Sequence, residues 1–188
     1  MSQKDVKVRI SGVTPLLMNR FPGILPTERR PTTVTQQWID EDHKKKWLRA
    51  AHFANGTFHL PPEMLEGALY AAGTKMRKKD AFKRSVMVVE DFVKLLVGVG
   101  GKPPAPLTGE LEDYYTPEYI DIRGVPTRTG PTVEQCRPIF RNWAVEFTYR
   151  YDGLSVNAGD IRKAMDNMYL GSFRPRFGRL RVEKFQEL

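Results

Sequence analysis

The sequence has 188 residues, 40% of them hydrophobic, and 30 Lys and Arg against 22 Asp and Glu give a formal net charge of +8. This size predicts one domain with a real core, and the positive charge favours a polyanionic partner. The single Cys136 excludes an internal disulfide, and the lack of a signal-peptide core or of any run near about 20 apolar residues predicts a cytoplasmic protein without a membrane span.

The N-terminal part predicts a strand followed by a long insertion. Val6, Val8 and Ile10 alternate with polar residues, as in a strand with one buried face, and Pro15 ends it. The segment from Asn19 to Lys46 is rich in Pro, Thr and charge and has no clear period. We expect a long loop or flexible insertion there, because loops of this length in compact domains are usually functional or disordered.

Residues 47–60 predict a β-hairpin that turns at Asn55 and Gly56, the strongest short hairpin signal. A two-residue turn places His52 directly opposite His59. Such a pair can be a metal site, an acid–base pair for RNA cleavage or a polar cross-strand pair. A metal needs further ligands, and none is evident in the sequence. We therefore predict no metal site and favour the polar pair, with His52 and His59 as the candidate catalytic residues should the protein be an enzyme.

A helix with a basic end follows the hairpin. Pro61 and Pro62 open it, and apolar residues recur at helical spacing to about Arg77. The stretch from Lys75 to Arg84 carries six basic residues and one acidic residue. It either follows an RNA backbone or is a solvated helix end. The candidate RNA contacts in it are Lys75, Arg77, Lys78 and Lys79.

The C-terminal half predicts further strands and one helix. After a segment at 85–96 that fits either strand or helix, strands are expected within 119–128 and 137–151, the latter with Arg141 on its polar face. Arg141 there lines an RNA groove or forms a cross-strand ion pair. Asn157 caps the helix, and the last strand covers 179–185. The order of elements predicts an α+β fold of ferredoxin-like type, an antiparallel sheet with helices on one face.

The loop between the last helix and the last strand is rich in Gly, Arg and Phe. Glycine lets backbones approach closely, arginine suits phosphate, and phenylalanine can stack on a base. The alternative is a basic turn whose phenylalanines close the core, and Phe177 fits that role. The candidate RNA contacts are Gly171, Phe173, Arg174, Arg176, Gly178 and Arg179.

The pattern strand, helix, Gly-rich basic loop and strand resembles the RAMP superfamily of CRISPR-associated proteins, with Gly171, Arg174, Arg176 and Gly178 at the matching loop positions. The opening strand followed by 14–17 (TPLL) is also similar. The resemblance implies a ferredoxin-like or RRM-like domain whose loop contacts RNA. It also implies that the insertion at 19–46 is the thumb of a backbone subunit.

The loop departs from the family in having one glycine at its start instead of a Gly-x-Gly pair. The chain is short for a backbone subunit, as a compact or phage-type relative would be.

These patterns together predict a single RAMP-like domain over residues 1–188 that binds single-stranded RNA without sequence preference. The resemblance implies a repeated backbone subunit of a CRISPR-type ribonucleoprotein of antiviral defence. Its partners would be RNA, copies of itself and other effector-complex subunits, with no cofactor. One alternative is a metal-independent endoribonuclease of the same superfamily, although a binding protein is favoured over an enzyme. A second alternative is a structural assembly protein whose basic face meets an acidic protein.

Overall fold

The computed structural model describes residues 3–20, 31–126 and 130–188. In chain order the strands and α-helices are β1 (Gln3–Gly12), β2 (Leu16–Leu17), α1 (Gln36–Ala50), β3 (Phe53–Ala54), β4 (Thr57–Leu60), α2 (Pro62–Gly73), α3 (Lys79–Ser85), β5 (Val86–Val88), β6 (Val93–Val97), β7 (Ala105–Pro106), β8 (Ile120–Val125), β9 (Val133–Phe140), β10 (Trp143–Asp152), α4 (Ala158–Met165) and β11 (Leu180–Glu187). Short 3₁₀ helices lie at Thr74–Met76, Leu111–Tyr114 and Pro117–Tyr119.

The main sheet has the strand order β11-β1-β10-β6-β4-β3, and each neighbouring pair in this order is antiparallel. Strand β5 pairs with a second part of β10, and β7 pairs with β6. A smaller sheet has the order β2-β9-β8. The prediction of an α+β protein with an antiparallel sheet is thus confirmed.

The core lies between one face of the main sheet and helices α2 and α4. Val6, Val8 and Ile10 of β1 are fully buried, as their alternation predicts. They belong to one cluster with Leu65 of α2 and Ile161 of α4. The Tyr149 hydroxyl of β10 donates a hydrogen bond to the Leu65 carbonyl at 3.1 Å, which ties sheet to helix inside this core.

Several boundaries follow from local chemistry that the sequence displays. The hairpin turns at Asn55 and Gly56, both with positive φ. The Asn157 side chain caps α4 by accepting from the Asp160 N–H at 2.8 Å. The segment 85–96 contains two short strands, β5 and β6, and the predicted last strand is β11.

The segment at 137–151 is not one strand. Its first residues belong to β9 of the small sheet, and the rest form β10 of the main sheet. The change of sheet occurs at Arg141 and Asn142, where the Asn142 carbonyl accepts a hydrogen bond from the Gly98 N–H at 2.9 Å. This bond holds the connection against the neighbouring loop.

The prediction of an irregular segment from Asn19 to Lys46 is wrong for its second half, and so is the start of the predicted hairpin at Trp47. Residues 36–50 form helix α1, whereas 21–30 lie outside the described residues. The Thr35 hydroxyl caps α1 by accepting from the Trp38 N–H at 3.2 Å. Trp47 buries its ring and donates to the Tyr119 carbonyl at 2.8 Å, which fixes the end of α1 to the core.

Candidate nucleic-acid interface

The glycines of the C-terminal loop let it approach the chain's own backbone. Gly171 and Gly178 have φ of +70° and +72°, in the left-handed region that other residues avoid. A Cβ on Gly178 would lie 1.7 Å from the Leu170 carbonyl oxygen. The Gly178 N–H donates to the Pro15 carbonyl at 2.8 Å. The Gly178 N–H is therefore bonded within the chain and is not available to a ligand. It fixes the loop to the turn after β1.

Three arginines project from this pinned loop. Arg174, Arg176 and Arg179 are exposed, and within 3–20, 31–126 and 130–188 their side chains have no ion pair or hydrogen bond. The backbone beneath them is fixed, since the Arg179 N–H donates to the Thr14 hydroxyl at 3.0 Å. We call these three side chains the loop surface. They form a cluster of positive charge on a held backbone, which suits an anionic ligand.

The two phenylalanines of the loop differ in burial. Phe177 is 7% exposed and packs with Leu17 and Ile139, as the core alternative predicts. Phe173 is half-buried, and its ring centroid lies 5.1 Å from the Arg123 guanidinium carbon and 5.3 Å from that of Arg137. The role of Phe173 as a stacking platform for a base stays a prediction, and any base there would join two guanidinium groups already in contact with the ring.

Two arginines beneath the loop lie near one carboxylate, and one of them bonds it. Asp121 accepts two hydrogen bonds from the Arg123 guanidinium. Arg137, opposite Asp121 across β8 and β9, is 8% exposed, and its buried Nε has no partner in the described part of the chain. Burial lowers the pKa of Arg137, but an arginine remains protonated at neutral pH. The cluster keeps an excess positive charge, which adds to the attraction for an anion at the loop.

Arg123 and Arg137 are not among the RNA contacts that the sequence predicts. In the structure both arginines lie close to Phe173, although their strands are far from the loop in sequence. The alternation within 119–128 and 137–151 places side chains on faces but carries no information about which loop covers them. Their contact with the Gly-rich loop could not be found from that signal.

The basic cluster at 75–84 faces α4 in part. The Lys78 ammonium lies 2.5 Å from Asp160, and Lys75 donates to the Asn167 side chain at 3.4 Å. Arg77, with φ of +57°, ends the 3₁₀ helix, and Lys79 begins α3; both are exposed. Lys78 thus pairs with α4 and Lys75 with the turn that follows α4, while the side chains of Arg77 and Lys79 have no partner among the described residues. Their RNA contacts stay predictions.

Arg141 does not lie on the polar face of a long strand, and that prediction is wrong. It lies in the connection between β9 and β10, and its guanidinium donates to the Glu118 carbonyl. The reason is the change of sheet at this point, which turns the chain away from the surface that alternation assigned to Arg141.

His52 and His59 oppose each other across the hairpin, as the turn predicts. Their ring centroids are 5.9 Å apart, and the His59 N–H donates to the His52 carbonyl at 3.1 Å. Burial lowers the pKa of His52 to about 4, helped by the charges of His59 and Arg20, and burial likewise lowers the pKa of His59. Both imidazoles are therefore neutral at pH 7. Either can accept a proton as a general base, and acid–base cleavage of RNA would also need bound phosphate to raise the pKa of one imidazole so that it donates a proton.

The face of the main sheet that points away from α2 and α4 carries charges in pairs. We call it the outer face, and its pairs join neighbouring strands. Lys7 lies 2.7 Å from Glu146, and Arg150 lies 2.8 Å from Asp5. A hydrogen bond from Lys7 holds the pKa of Glu146 below its usual value. Arg9 bonds Glu183 at 3.1 Å. This face is thus locally neutralised where β1, β10 and β11 meet.

Among the residues that the structure describes, no helix is both long and apolar enough to cross a membrane. Comparison with protein-family models finds none that matches this chain, and comparison with curated proteins finds no match either.

Proposed function

We propose that this chain binds single-stranded RNA without sequence preference. The observation that carries the proposal is the loop surface, whose three arginines stand on a pinned backbone without partners in the described part of the chain. Guanidinium groups bind phosphate oxygens through paired, charge-assisted hydrogen bonds. Contacts with phosphate do not depend on the identity of the base. Such a surface would therefore bind RNA without sequence preference.

The fold supports the same proposal. We propose that β1, α2, β5–β6, β10, α4 and β11 correspond to the repeated strand–helix–strand units of a ferredoxin-like domain. The order β11-β1-β10-β6 agrees with the arrangement in which the last and third of four core strands flank the first. The loop surface then lies between the second helix and the last strand, the position at which RAMP proteins contact RNA. This correspondence supports the resemblance that the sequence motifs suggest.

We further propose that the chain acts as a repeated backbone subunit of a CRISPR-type ribonucleoprotein, beside other copies of itself. The insertion after β1 would be the thumb, and α1 forms its return to the domain. The test is to replace residues 21–30 by a Gly-Ser linker, which leaves α1 and its buried Trp47 in place. We expect a folded protein that binds RNA but no longer forms ordered multimers on it. Unchanged multimers in electron micrographs would overturn the subunit proposal.

The binding test compares two sets of three substitutions that remove the same charge. The loop variant lacks all three guanidinium groups of the loop surface and combines Arg174→Ala, Arg176→Ala and Arg179→Ala. Lys7→Gln, Arg9→Gln and Arg150→Gln together remove paired charges from the outer face. Since a hydrogen bond to a charged group contributes about 1.5–3 kcal/mol, we expect the loop variant to lose at least about 100-fold in RNA affinity. The outer-face variant should bind like wild type.

Fluorescence anisotropy with labelled single-stranded RNA measures both variants, and circular dichroism confirms that each is folded. Equal losses in the two variants would mean that binding follows net charge and not the loop. A loss confined to the outer-face variant would place the RNA path across the sheet. The same titration with single-stranded DNA distinguishes the two nucleic acids.

The opposed histidines favour a second function, a metal-independent endoribonuclease. Their ring separation of 5.9 Å lets one RNA segment reach both. Incubation with structured RNA in the presence of a chelator tests it. Specific cleavage that His52→Ala or His59→Ala abolishes would establish this activity. Discrete oligomers without RNA binding or cleavage would instead support the third alternative, an assembly protein with an acidic partner.

A further inference from the structure

A groove with a volume of about 320 Å³ lies between helix α2 and the segment that joins α4 to the loop surface. This volume falls in the range of about 300–1,000 Å³ that is typical of small-ligand sites. We call it the α2 groove, and its lining includes Glu63, Met64, Gly67, Ala71, Tyr169 and Arg174. Arg174 is also part of the loop surface, so the groove opens directly beside that surface.

The α2 side of the groove lacks large side chains in its middle. Glu63, Gly67 and Ala71 follow one another at intervals of four residues, which places them on one face of the helix, and all three are exposed. A Cβ added to Gly67 would have no atom of the described chain within 4 Å. Glycine destabilises a helix interior relative to alanine, and no neighbour requires it here. The missing side chain instead leaves room for a ligand against the helix.

The opposite wall of the groove is held by backbone contacts. The Ser172 N–H donates to the Leu17 carbonyl at 3.0 Å, and Tyr169 forms an isolated β-bridge with Arg179. Tyr169 is half-buried and lines the groove from this fixed backbone. An aromatic side chain that is already ordered loses little conformational freedom when a flat ligand stacks on it.

The charges around the groove differ between its lining and its surroundings. Glu63 places a carboxylate among the lining side chains, and this carboxylate would repel a phosphate inside the groove. Arg174 is exposed and has no ion pair in the described part of the chain. One turn beyond Ala71, Lys75 bonds only the uncharged side chain of Asn167, at 3.4 Å. Phosphates are therefore favoured at Arg174 and at the C-terminal end of α2, and uncharged groups between them.

We propose that the α2 groove receives bases of the single-stranded RNA whose phosphates bind the loop surface. The bases lie over Gly67 and Ala71 against the Tyr169 ring, and the phosphates on either side contact Arg174 and Lys75. That the ligand is RNA rests on the proposed function. That its bases enter this groove rests on the shape, the aromatic wall and the charges of the groove itself.

This path connects two basic regions that are far apart in the sequence. The contact between Lys75 and Asn167 joins positions 92 residues apart, and Tyr169 follows Asn167 by two residues. A strand that lies in the groove can thus contact the loop surface and the basic stretch at 75–84 at the same time. The exposed Arg77, at the end of the 3₁₀ helix, would extend the phosphate contacts beyond Lys75.

The test fills the groove without changing any charge. In Gly67→Leu the new side chain enters the open space, and because leucine is a strong helix former the variant should melt at or above the wild-type temperature. Its affinity for an oligouridylate should nevertheless fall about 5- to 100-fold, the range for removing one stacked base. Tyr169→Leu removes the ring but keeps an apolar side chain, and its affinity should fall by a similar factor. Fluorescence anisotropy measures affinity, and thermal denaturation measures stability.

The matched control is Gln186→Leu. It introduces the same side chain, also without a change of charge, at an exposed position of β11 opposite Lys7 on the outer face. This variant should bind the oligouridylate like wild type. Should Gly67→Leu fail to fold, Gly67→Gln fills the same space with another helix former. An abasic oligomer of the same length and charge separates bases from phosphates, and Gly67→Leu should leave its affinity unchanged.

The outcomes separate the groove from the proposed function. Gly67→Leu and Tyr169→Leu that bind the oligouridylate as tightly as wild type, while the loop variant does not, overturn the groove and leave RNA binding intact. Equal losses for the oligouridylate and the abasic oligomer would mean that the groove holds phosphates, which overturns the placement of bases in it. An equal loss in Gln186→Leu would attribute the effect to an added surface leucine and likewise overturn it. Wild type that binds neither oligomer overturns the proposed function and the groove together.

Discussion

The outer face of the main sheet and the loop surface are both rich in positive charge, but they differ in what those charges contact. On the outer face, Lys7 and Arg150 each lie within 3 Å of a carboxylate on a neighbouring strand. On the loop surface, no carboxylate of the described residues pairs with the arginines. A phosphate that bound the outer face would have to compete with an existing ion pair. The position of the unpaired positive side chains, and not the net charge of +8, therefore predicts where a polyanion would bind.

The largest expected effect concerns the backbone that holds the loop surface. Gly178→Ala and Gly100→Ala both place a side chain at positive φ, which costs about 1–2 kcal/mol. Only at Gly178 does the new Cβ also collide with backbone, since a Cβ on Gly100 meets nothing within 4 Å in the described chain. We expect Gly178→Ala to lose more than about 4 kcal/mol of unfolding free energy, the range of exceptional substitutions. Urea denaturation measures both; equal losses would mean that the loop adjusts freely.

The next effect concerns the salt dependence of RNA binding. Each phosphate neutralised on a single strand contributes about −0.7 to the slope of log K against log salt. Emptying the loop surface should reduce the magnitude of the slope by about 2 if each arginine binds one phosphate. The outer-face variant should keep the wild-type slope. Anisotropy titrations from low to high salt measure it, and a slope that falls equally in both variants would remove the distinction between the surfaces.

The variant Arg137→Met tests a positive charge that lies beneath the loop surface. Asp121 keeps its two hydrogen bonds from Arg123, while a buried guanidinium with an unpartnered Nε is removed. Replacing buried charge by apolar groups is often neutral or stabilising by about 1–4 kcal/mol. We expect an unchanged or higher melting temperature together with severalfold weaker RNA binding. A clear loss of stability would instead assign Arg137 a structural role.

The smallest effect is expected on the outer face. Lys7→Gln breaks the pair with Glu146, and both side chains are more than a third exposed. Exposed pairs contribute about 0–1 kcal/mol, and salt screens them. The variant should melt within a few degrees of wild type and bind RNA equally well. A large drop in RNA affinity would show that this face carries the ligand after all.

The parts of the fold that sequence predicts are those that a few adjacent residues determine. The hairpin turn needs only two residues with positive φ, which are Asn55 and Gly56. The cap of α4 needs only the Asn157 side chain and the N–H group of Asp160. The sequence does not predict helix α1, because this helix has no apolar stripe. It is stabilised by side-chain pairs one turn apart, such as Gln36 with Asp40 at 2.9 Å and Asp42 with Lys46 at 2.6 Å.

The candidate site was predictable in part for the same reason. The Gly-rich loop and its arginines are contiguous, so composition reveals them. Arg137 and Phe173 meet only because β9 and the loop pack together, and His59 meets Phe92 only because β4 pairs with β6, which directly follows Phe92. Contacts of this kind depend on the path of the whole chain. Alternation assigned Arg141 to the wrong surface because it cannot detect a change of sheet.

The hydrogen bond between the Arg179 N–H and the Thr14 hydroxyl closes a segment of 165 residues. Contacts between such distant positions form late in folding, because the entropy of closing the chain opposes them until most other contacts exist. The loop surface is consequently completed only when β1 meets β11. Any ligand that needs this junction binds the folded state alone. At a concentration 100 times its dissociation constant it would raise the stability of the entire domain by about 2.7 kcal/mol.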